Sequence, residues 1–245
     1  MRTVIIVQAR MGSTRLPGKV LKRVAGKPLL DYLIERLHRV RLADDVVIAT
    51  TTNYTDDTIV EFCGTHQVNC FRGSENDVLA RYYGAASKHK ADTVVRVTSD
   101  CPLIDPQIID RAITVYRDHI PNVDYVSNTI QRTYPRGMDC EVFSFRVLKE
   151  VHEQAEHPAD REHVTPFIYN HPEKYNIEHF TFARDESQHR WTVDTHEDFL
   201  LVSRIIENLY PIKPQFDMED CLRLLTTYPR WQAINNGVTQ KVYGQ

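Results

Sequence analysis

The residues with the clearest chemical capacity lie in one loop near the N-terminus. Residues 10–19 read Arg-Met-Gly-Ser-Thr-Arg-Leu-Pro-Gly-Lys, which places three cations and two hydroxyls in ten residues. Arginine binds phosphate oxygens through paired hydrogen bonds and lysine acts as a point charge, so together they can neutralise much of a triphosphate. The alternative is a basic surface loop, but a solvated loop does not need so many cations directly after a buried strand. The pattern therefore predicts a polyphosphate site.

This loop departs from the Walker A motif in two ways. Five residues separate Gly12 from Gly18, where a Walker A loop has four. Lys19 is followed by Val20, and not by the serine or threonine whose hydroxyl holds Mg²⁺. The sequence thus predicts phosphate binding by a loop of a different kind, in which a glycine lets the backbone approach the ligand.

A second chemical signal is Asp100, which follows the apolar run at residues 93–97 and stands in a turn that ends at Pro102. A carboxylate just past a buried strand is well placed to hold a hard cation against phosphate oxygens. The alternative role is that of a turn or cap residue. Mg²⁺ typically takes one or two carboxylates together with water and phosphate oxygens, and we expect Asp100 to supply one of them.

Alternating apolar runs and amphipathic segments must position these residues. The β-branched run at residues 4–7 indicates a strand buried on both faces, while Leu30, Leu33, Leu37 and Val40 recur at helical spacing. Strands separated by helices predict a parallel, doubly wound α/β sheet, in which ligands bind outside the carboxyl ends of the strands. The predicted strands are residues 4–7, 46–50, 68–71 and 93–97. The first predicted helix starts near Pro28, and the others span residues 56–66, 77–88 (with Asp77 as N-cap) and 105–119.

The pattern changes after about residue 120, although no linker or internal repeat divides the chain. We expect one domain over residues 1–245, with a nucleotide-binding part at 1–120 and an acceptor-binding part at 121–245 that also offers a surface for dimerisation. Thr195 and Asp198 have the spacing of a capping box, which predicts a structural role at a helix N-terminus. The predicted strands here are residues 124–127, 141–145 and an exposed 175–182, and the predicted helices are 146–155, 162–170, 197–209 and 218–225.

Composition excludes several classes of protein. The net charge is only −3, so no bulk attraction to nucleic acid is expected. No apolar run approaches the roughly 18–20 residues that span a bilayer, and no signal peptide opens the chain, so we expect a cytoplasmic protein without a membrane partner. Five cysteines without a Cys-x-x-Cys pair predict reduced, structural thiols, and histidines without a His-x-x-x-His pair predict no histidine metal site.

Positive charge is concentrated at the start of the chain. The first 41 residues hold ten basic and two acidic side chains, whereas the whole chain is slightly acidic. Such an excess indicates a local anion site. Part of it, including Arg36 and Arg39, is interpreted as the solvated face of a helix.

The opening of the chain also resembles a known family. A strand, then Ala-Arg-Met-Gly-Ser-Thr-Arg-Leu-Pro-Gly-Lys at residues 9–19, then Gly-Lys-Pro-Leu-Leu at 26–30, is similar to the cytidylyltransferases that activate acidic sugars. The nearest branch is named for spore-coat polysaccharide synthesis, and the sialic acid and ketodeoxyoctonate cytidylyltransferases are more distant. The resemblance implies a Rossmann-like nucleotide-diphospho-sugar transferase fold with a mostly parallel central sheet flanked by helices. It also implies CTP as donor, Mg²⁺ as cofactor, a sugar acceptor and a homodimer.

The same resemblance implies roles for individual residues. Asp194 matches a second metal ligand beside Asp100, although Ser99 stands where the relatives have glycine before that first aspartate. The segment 134–141 matches the acceptor-side loop, with residues 162–166 as a further candidate, and ordinary loop and helix roles are the alternative there. Arg81 is either a nucleotide contact or a helix-surface cation. The nucleotide-binding candidates are Ala9, Arg10, Gly12, Ser13, Arg15, Lys19, Arg72 and Thr98, and the acceptor-binding candidates are Arg136, Asp139 and Glu141.

Together with the family resemblance, which implies CTP and a sugar acceptor, these residues predict one reaction. A sugar hydroxyl attacks the α-phosphorus of CTP in line and releases pyrophosphate, with Lys19, Arg15 and Asp100 as catalytic residues and no evident separate general base. The product would serve surface polysaccharide or glycan biosynthesis. Three alternatives stay open: a glycosyltransferase, which would be expected to carry an Asp-x-Asp motif; a pyrophosphorylase that uses another nucleotide; and a non-catalytic nucleotide-binding module.

Overall fold

A computed structural model describes residues 1–240 of the chain. The strands are β1 (Thr3–Gln8), β2 (Arg23–Val24), β3 (Lys27–Pro28), β4 (Asp45–Thr51), β5 (Asn69–Gly73), β6 (Thr93–Thr98), β7 (Tyr125–Ser127), β8 (Glu141–Ser144) and β9 (Ile177–His179). The helices are α1 (Leu29–Leu37), α2 (Asp57–Thr65), α3 (Val78–Lys88), α4 (Pro106–His119), α5 (Phe145–Gln154), α6 (Pro158–His163), α7 (Pro166–Tyr169), α8 (His196–Leu209) and α9 (Met218–Thr227).

One central sheet joins the two parts of the chain. Its order is β5-β4-β1-β6-β8-β7-β9. Strands β4, β1 and β6 pair in parallel, as do β4 with β5 and β7 with β9, whereas β8 runs antiparallel to both β6 and β7. The mostly parallel α/β sheet that the sequence predicts is therefore confirmed. Strands β2 and β3 form a separate small hairpin that the sequence pattern did not reveal.

Two hydrophobic cores cover the two faces of this sheet. Successive side chains of a strand point to opposite faces, and β1 follows this rule. Val4 and Ile6 pack into the core that contains α3 and α5. Ile5 and Val7 pack into the core that contains α1, α4 and α8. This arrangement explains why β1 is an unbroken apolar run: all four side chains are fully buried.

The registers of β1 and β6 bring the two chemical loops together. Gln8 at the end of β1 is directly opposite Thr98 at the end of β6. The backbone nitrogen of Ser99 then donates to the carbonyl oxygen of Gln8 at 3.3 Å, which continues the pairing by one step. The loop that follows Gln8 and the turn that contains Asp100 therefore leave the sheet side by side, at the carboxyl edge where the parallel topology predicts ligand binding.

Most predicted elements are present, but three in the second half were wrong in extent. The predicted helix at 162–170 is two short helices, α6 and α7, because Val164 has a φ of 74° and Pro166 starts a new turn. The predicted exposed strand at 175–182 is only β9, and its side chains are half-buried beside β7. Phe145, which was assigned to a strand, is the first residue of α5.

The caps were predicted correctly, while one surface interpretation was wrong. Asp77 accepts a hydrogen bond from the backbone of Ala80, and Thr195 forms a capping box with Asp198. Arg36, however, is not on a solvated helix face, because only 3% of it is exposed. Within residues 1–240, no helix is both long enough and apolar enough to cross a bilayer.

Candidate active site

Two adjoining cavities open at the carboxyl edge of β1 and β6. The first has a volume of about 250 Å³ and the second about 440 Å³. We call them the loop cavity and the β8 cavity, after the first loop and strand β8 that line them. The residues that line both are Gln8, Arg15, Thr98, Asp100, Glu162, His163 and Asp194.

The first loop folds back on itself so that its cations face the loop cavity. The backbone nitrogens of Ser13 and Gly18 both donate to the carbonyl oxygen of Met11, at 2.9 and 3.0 Å. Gly18 has a φ of 65°, which a glycine adopts without steric cost and which starts the short helical turn at Lys19–Leu21. The backbone of Met11 is also bound by the buried Asp56 carboxylate at 2.7 Å. The loop is therefore anchored at both ends.

Lys19 lies between the two predicted metal-binding aspartates. Its Nζ is 2.9 Å from Oδ2 of Asp100 and 2.8 Å from Oδ1 of Asp194. The other oxygen of Asp194 is 3.0 Å from Arg15 and 2.9 Å from Arg190. Asp100 also accepts a hydrogen bond of 2.6 Å from the Thr98 hydroxyl. Residues from three distant parts of the sequence thus meet at one point.

Mutual attraction sets the charge states in this cluster. Burial by itself lowers the pKa of Lys19, but the charges of Asp100 and Asp194 and their hydrogen bonds outweigh it, so the pKa is raised. Burial raises the pKa of Asp100, yet Lys19 and the Thr98 hydroxyl bring it below its usual value. The carboxylate of Asp100 and the ammonium of Lys19 are therefore both charged at neutral pH. Burial and the Asp100 charge raise the pKa of the Cys101 thiol well above its usual value, so this thiol stays protonated.

The aspartate pair has the chemistry that a magnesium ion requires. Oxygens of Asp100 and Asp194 converge on one cationic group, and both are hard donors. No group of three or more His, Cys, Asp or Glu side chains with metal-binding geometry occurs within residues 1–240. The two carboxylates are consistent with Mg²⁺, which commonly takes one or two carboxylates and completes its shell with water and substrate phosphates.

The loop cavity contains most of the nucleotide-binding candidates. Arg81, for which the sequence left two roles open, also lines it and is buried, and its guanidinium donates to the carbonyl oxygens of Ser74 and Glu75 at 2.5 and 3.1 Å. The predicted residues that line this cavity are Ala9, Arg10, Ser13, Arg15, Lys19, Thr98, Asp100 and Asp194.

Two predicted nucleotide contacts do not line either cavity. The Arg72 guanidinium is bound elsewhere, by the carbonyl oxygens of Thr51 and Asn53 and by Asp57 at 2.7 Å. Its position on β5, the edge strand, explains the difference, because β4 separates it from β1. Gly12 is also absent from the cavity linings, and a Cβ atom there would meet only Glu75 at an ordinary 3.5 Å. Packing does not require glycine at that position.

The β8 cavity contains two of the three acceptor candidates, and each is paired with an arginine. Asp139 accepts two hydrogen bonds from Arg132, at 2.5 and 3.0 Å. Glu141 is buried and accepts from Arg96, from Tyr125 and from the Thr165 hydroxyl at 2.6 Å. Glu162 and His163, from the further candidate segment, line this cavity as well.

The third acceptor candidate, Arg136, does not line either cavity. Its backbone forms an isolated parallel bridge with Arg190, which joins the loop at residues 134–141 to the segment that carries Asp194. Gly137 makes this approach possible: it has a φ of 100°, and a Cβ atom there would lie 2.7 Å from the carbonyl carbon of Trp191. The loop therefore positions the site through its backbone as well as through Asp139.

Sequence reasoning missed three arginines that the structure places in or beside the site: Arg96, Arg132 and Arg190. Arg190 binds Asp194 and also the fully buried Asp198, whose carboxylate accepts from both Nε and Nη2 of the guanidinium. One signal was available for Arg96, since a charged residue inside an otherwise apolar strand requires a buried partner. No comparable pattern in the sequence marks Arg132 or Arg190.

The fold and this site define a nucleotidyltransferase. A family model for cytidylyltransferases matches residues 4–218, so the chain belongs to the cytidylyltransferase family. The spore coat polysaccharide biosynthesis protein SpsF of Bacillus subtilis is 34% identical over 237 residues, which are 92% of this chain and 95% of that protein. The resemblance to this family that the sequence indicates is confirmed.

Solved structures of cytidylyltransferases have the same fold. A cytidylyltransferase from Leptospira borgpetersenii superposes with a TM-score of 0.91 and 33% identity, covering 99% of this chain and 100% of the other. CMP:2-keto-3-deoxy-manno-octonic acid synthetase complexed with CTP superposes with a TM-score of 0.66 at 21% identity, covering 84% of this chain and 99% of the other. The second likeness supports the fold alone.

Proposed function

We propose that this protein transfers CMP from CTP to a hydroxyl group of a sugar and releases pyrophosphate, in the synthesis of a surface polysaccharide or glycan. The observation that carries the proposal is the position of Lys19 between Asp100 and Asp194, directly beside the cation-rich first loop. Membership of the cytidylyltransferase family supports CTP as the nucleotide.

The first loop binds the triphosphate in this proposal. Arg10, Arg15 and Lys19 neutralise the phosphate oxygens and stabilise the negative charge that develops on the leaving pyrophosphate. Ser13 adds a hydroxyl donor at the same wall of the cavity. Because the loop is anchored through Met11, these groups are held in position before the substrate arrives, and little reorganisation is needed during the reaction.

Asp100 and Asp194 would hold Mg²⁺, which supplies positive charge beside the reacting phosphate. Arg190 and Thr98 orient these two carboxylates by hydrogen bonds of 2.9 and 2.6 Å. Both aspartates line the loop cavity and the β8 cavity, so they stand where a nucleotide in the first would meet an acceptor in the second. This position suits in-line attack on the α-phosphorus.

The β8 cavity is the proposed acceptor site. Asp139 and Glu141 present carboxylates that accept hydrogen bonds from sugar hydroxyls, and their partners Arg132 and Arg96 hold these carboxylates in place. An acidic sugar is the acceptor that the family relationship favours, since a relative that is 38% identical over 46% of this chain is named a 3-deoxy-manno-octulosonate cytidylyltransferase. Such an acid would bind near Arg132 and Arg96.

Pyrophosphate release tests the proposal directly. The protein with Mg²⁺ is offered each of the four nucleoside triphosphates against a panel of acidic and neutral sugars. We expect release with CTP and one class of sugar only. Release with another nucleotide would favour a different pyrophosphorylase, and tight CTP binding without release for any sugar would favour a binding module.

A matched pair of variants tests the assignment of Asp100. We expect Asp100→Asn to reduce turnover by several orders of magnitude while thermal unfolding stays close to that of the wild type. Asp185→Asn changes an exposed carboxylate on the surface and should leave turnover unchanged. Normal turnover of Asp100→Asn would remove the metal-binding assignment.

A further inference from the structure

A third cavity lies at the opposite edge of the sheet from the candidate active site. It has a volume of about 190 Å³ and is formed by the C-terminal half of α1 and the segment that follows α8. Helix α1 connects the parallel strands β1 and β4, so it runs back from the carboxyl edge of the sheet to the amino edge. The residues that line the cavity are Tyr32, Glu35, Arg36, Arg39, Tyr210, Pro214 and Gln215.

Arg36 carries a buried charge without an acidic partner. It is 3% exposed, its guanidinium lies 4.0 Å from the centre of the Phe216 ring, and its Nη1 donates to the carbonyl oxygen of Phe216 at 2.9 Å. In the part of the chain that the structure describes, no carboxylate lies within 4.0 Å of this guanidinium. Burial lowers the pKa of Arg36 to about 10, and the charge of Arg39 adds to this effect, whereas the charges of Asp105 and Glu35 oppose it only in part.

Arg39 adds a second cation to the same cavity. Its Nη2 is buried and has no hydrogen-bond partner within residues 1–240, and its guanidinium has no carboxylate partner there either. Glu35, the one acidic residue that lines the cavity, is already bound by Lys27 and by the hydroxyl of Tyr210 at 2.9 Å. Lys27 lies 4.8 Å from the centre of the Tyr210 ring and neutralises Glu35, so Glu35 is not a free counter-ion for the two arginines.

Burying two neighbouring guanidinium groups without a counter-ion raises the free energy of the folded protein. An unpaired buried charge loses hydration and gains no Coulomb attraction in return, and here two like charges also repel. The negative end of the α1 dipole offsets part of this cost at most, because it amounts to about half an elementary charge. The arrangement is therefore explained best by an anion with a charge close to −2 between the two side chains.

We propose that this cavity binds a small phosphoryl dianion, with Arg36 and Arg39 as its cationic ligands. Two guanidinium forks match the oxygens of a phosphate better than those of a single carboxylate, and two positive charges match its charge. The cavity is smaller than both the loop cavity and the β8 cavity, which favours a free phosphate or pyrophosphate over a whole nucleotide. This site is separate from the proposed catalytic centre.

Calorimetric titration of the full chain with inorganic phosphate, and separately with pyrophosphate, tests the proposal. We expect two binding components, because the first loop also binds phosphate. Arg39→Gln should weaken one component at least about tenfold, the effect of losing a charge-assisted hydrogen bond. A double variant, Arg10→Gln with Arg15→Gln, should weaken the other. The two components remain distinguishable whether or not CTP is the substrate.

Controls separate a specific site from general electrostatics. Arg41→Gln removes the same charge from a neighbouring side chain that is 84% exposed, and it should change neither component by more than about twofold. Arg39→Lys keeps the charge but loses the fork, and it should weaken the component partially while thermal unfolding confirms that the protein is folded. Unchanged phosphate binding by Arg39→Gln would overturn the proposal. So would a change in oligomeric state without a change in phosphate binding, since the arginines would then serve contact between subunits.

Discussion

Replacement of Lys19 by methionine should change metal binding and turnover in opposite directions. In the wild type, the Lys19 ammonium is hydrogen-bonded to both carboxylates that we assign to the metal. A metal ion that arrives without nucleotide has to displace this ammonium. The triphosphate would draw Lys19 away, so metal and nucleotide should bind the wild type together.

The magnitude follows from the two contacts, 2.8 and 2.9 Å long, of a side chain that is 13% exposed. A hydrogen bond between charged groups contributes about 1.5–3 kcal/mol. Loss of even one such bond corresponds to about 10- to 150-fold in an equilibrium constant. We therefore expect Lys19→Met to bind Mn²⁺, in the absence of nucleotide, at least about tenfold more tightly than the wild type. Turnover should fall by about 10²–10³, as for the loss of other groups that stabilise a developing oxyanion.

Electron paramagnetic resonance of free Mn²⁺ measures the first effect, and pyrophosphate release measures the second. Lys22→Met is the matched control, because Lys22 lines neither cavity and lies 5.7 Å from the centre of the Phe199 ring. A general loss of structure would weaken both metal binding and turnover. If Lys19→Met bound Mn²⁺ no more tightly than the wild type, competition between Lys19 and the metal would be refuted.

Three further substitutions test how the site is held together. Gly137→Ala should lower the free energy of unfolding by at least about 1–3 kcal/mol, because the residue has a positive φ and its new Cβ atom would lie 2.7 Å from backbone. Gly237→Ala is the control: open space surrounds that residue, so its thermal unfolding should match the wild type. Asp198→Ala removes one of the two carboxylates that bind the buried Arg190 guanidinium and should cost about 3–5 kcal/mol in urea unfolding. The cap variant Thr195→Ala should cost only about 1 kcal/mol. Asp139→Asn should raise KM for the acceptor and leave KM for CTP unchanged, and an equal rise in both would contradict its assignment.

The proposed nucleotide site in the loop cavity and acceptor site in the β8 cavity share residues where the two cavities meet. Glu162 and His163 line both cavities, although they come from α6, at a point where the sequence predicted one continuous helix. The break at Val164 turns the chain and allows Thr165 to reach Glu141. The helix pattern could not reveal this break, because a positive φ at a valine is set by surrounding packing and not by local preference.

Local patterns in the sequence were sufficient for the sheet, the caps and the first loop. The β-branched run of β1 and the capping residues Asp77 and Thr195 have effects that extend over only a few neighbouring positions. The three cations within residues 10–19 are likewise close together in the sequence, so they can be recognised without knowledge of the fold. Arg72 and Arg136, which the family resemblance suggested, line neither cavity, because lining a cavity depends on where a side chain lies in the fold.

Only the tertiary structure decided which charges meet. Lys19 is 81 residues from Asp100 and 175 from Asp194, and the parallel register of β1 with β6 is what joins the first two. The burial of Arg36 was also invisible in the sequence, where helical spacing placed it on a solvated face. Packing of a distant segment against α1, at Phe216, covers it. Periodicity describes one element at a time, whereas burial and ion pairing depend on what the rest of the chain lays against that element.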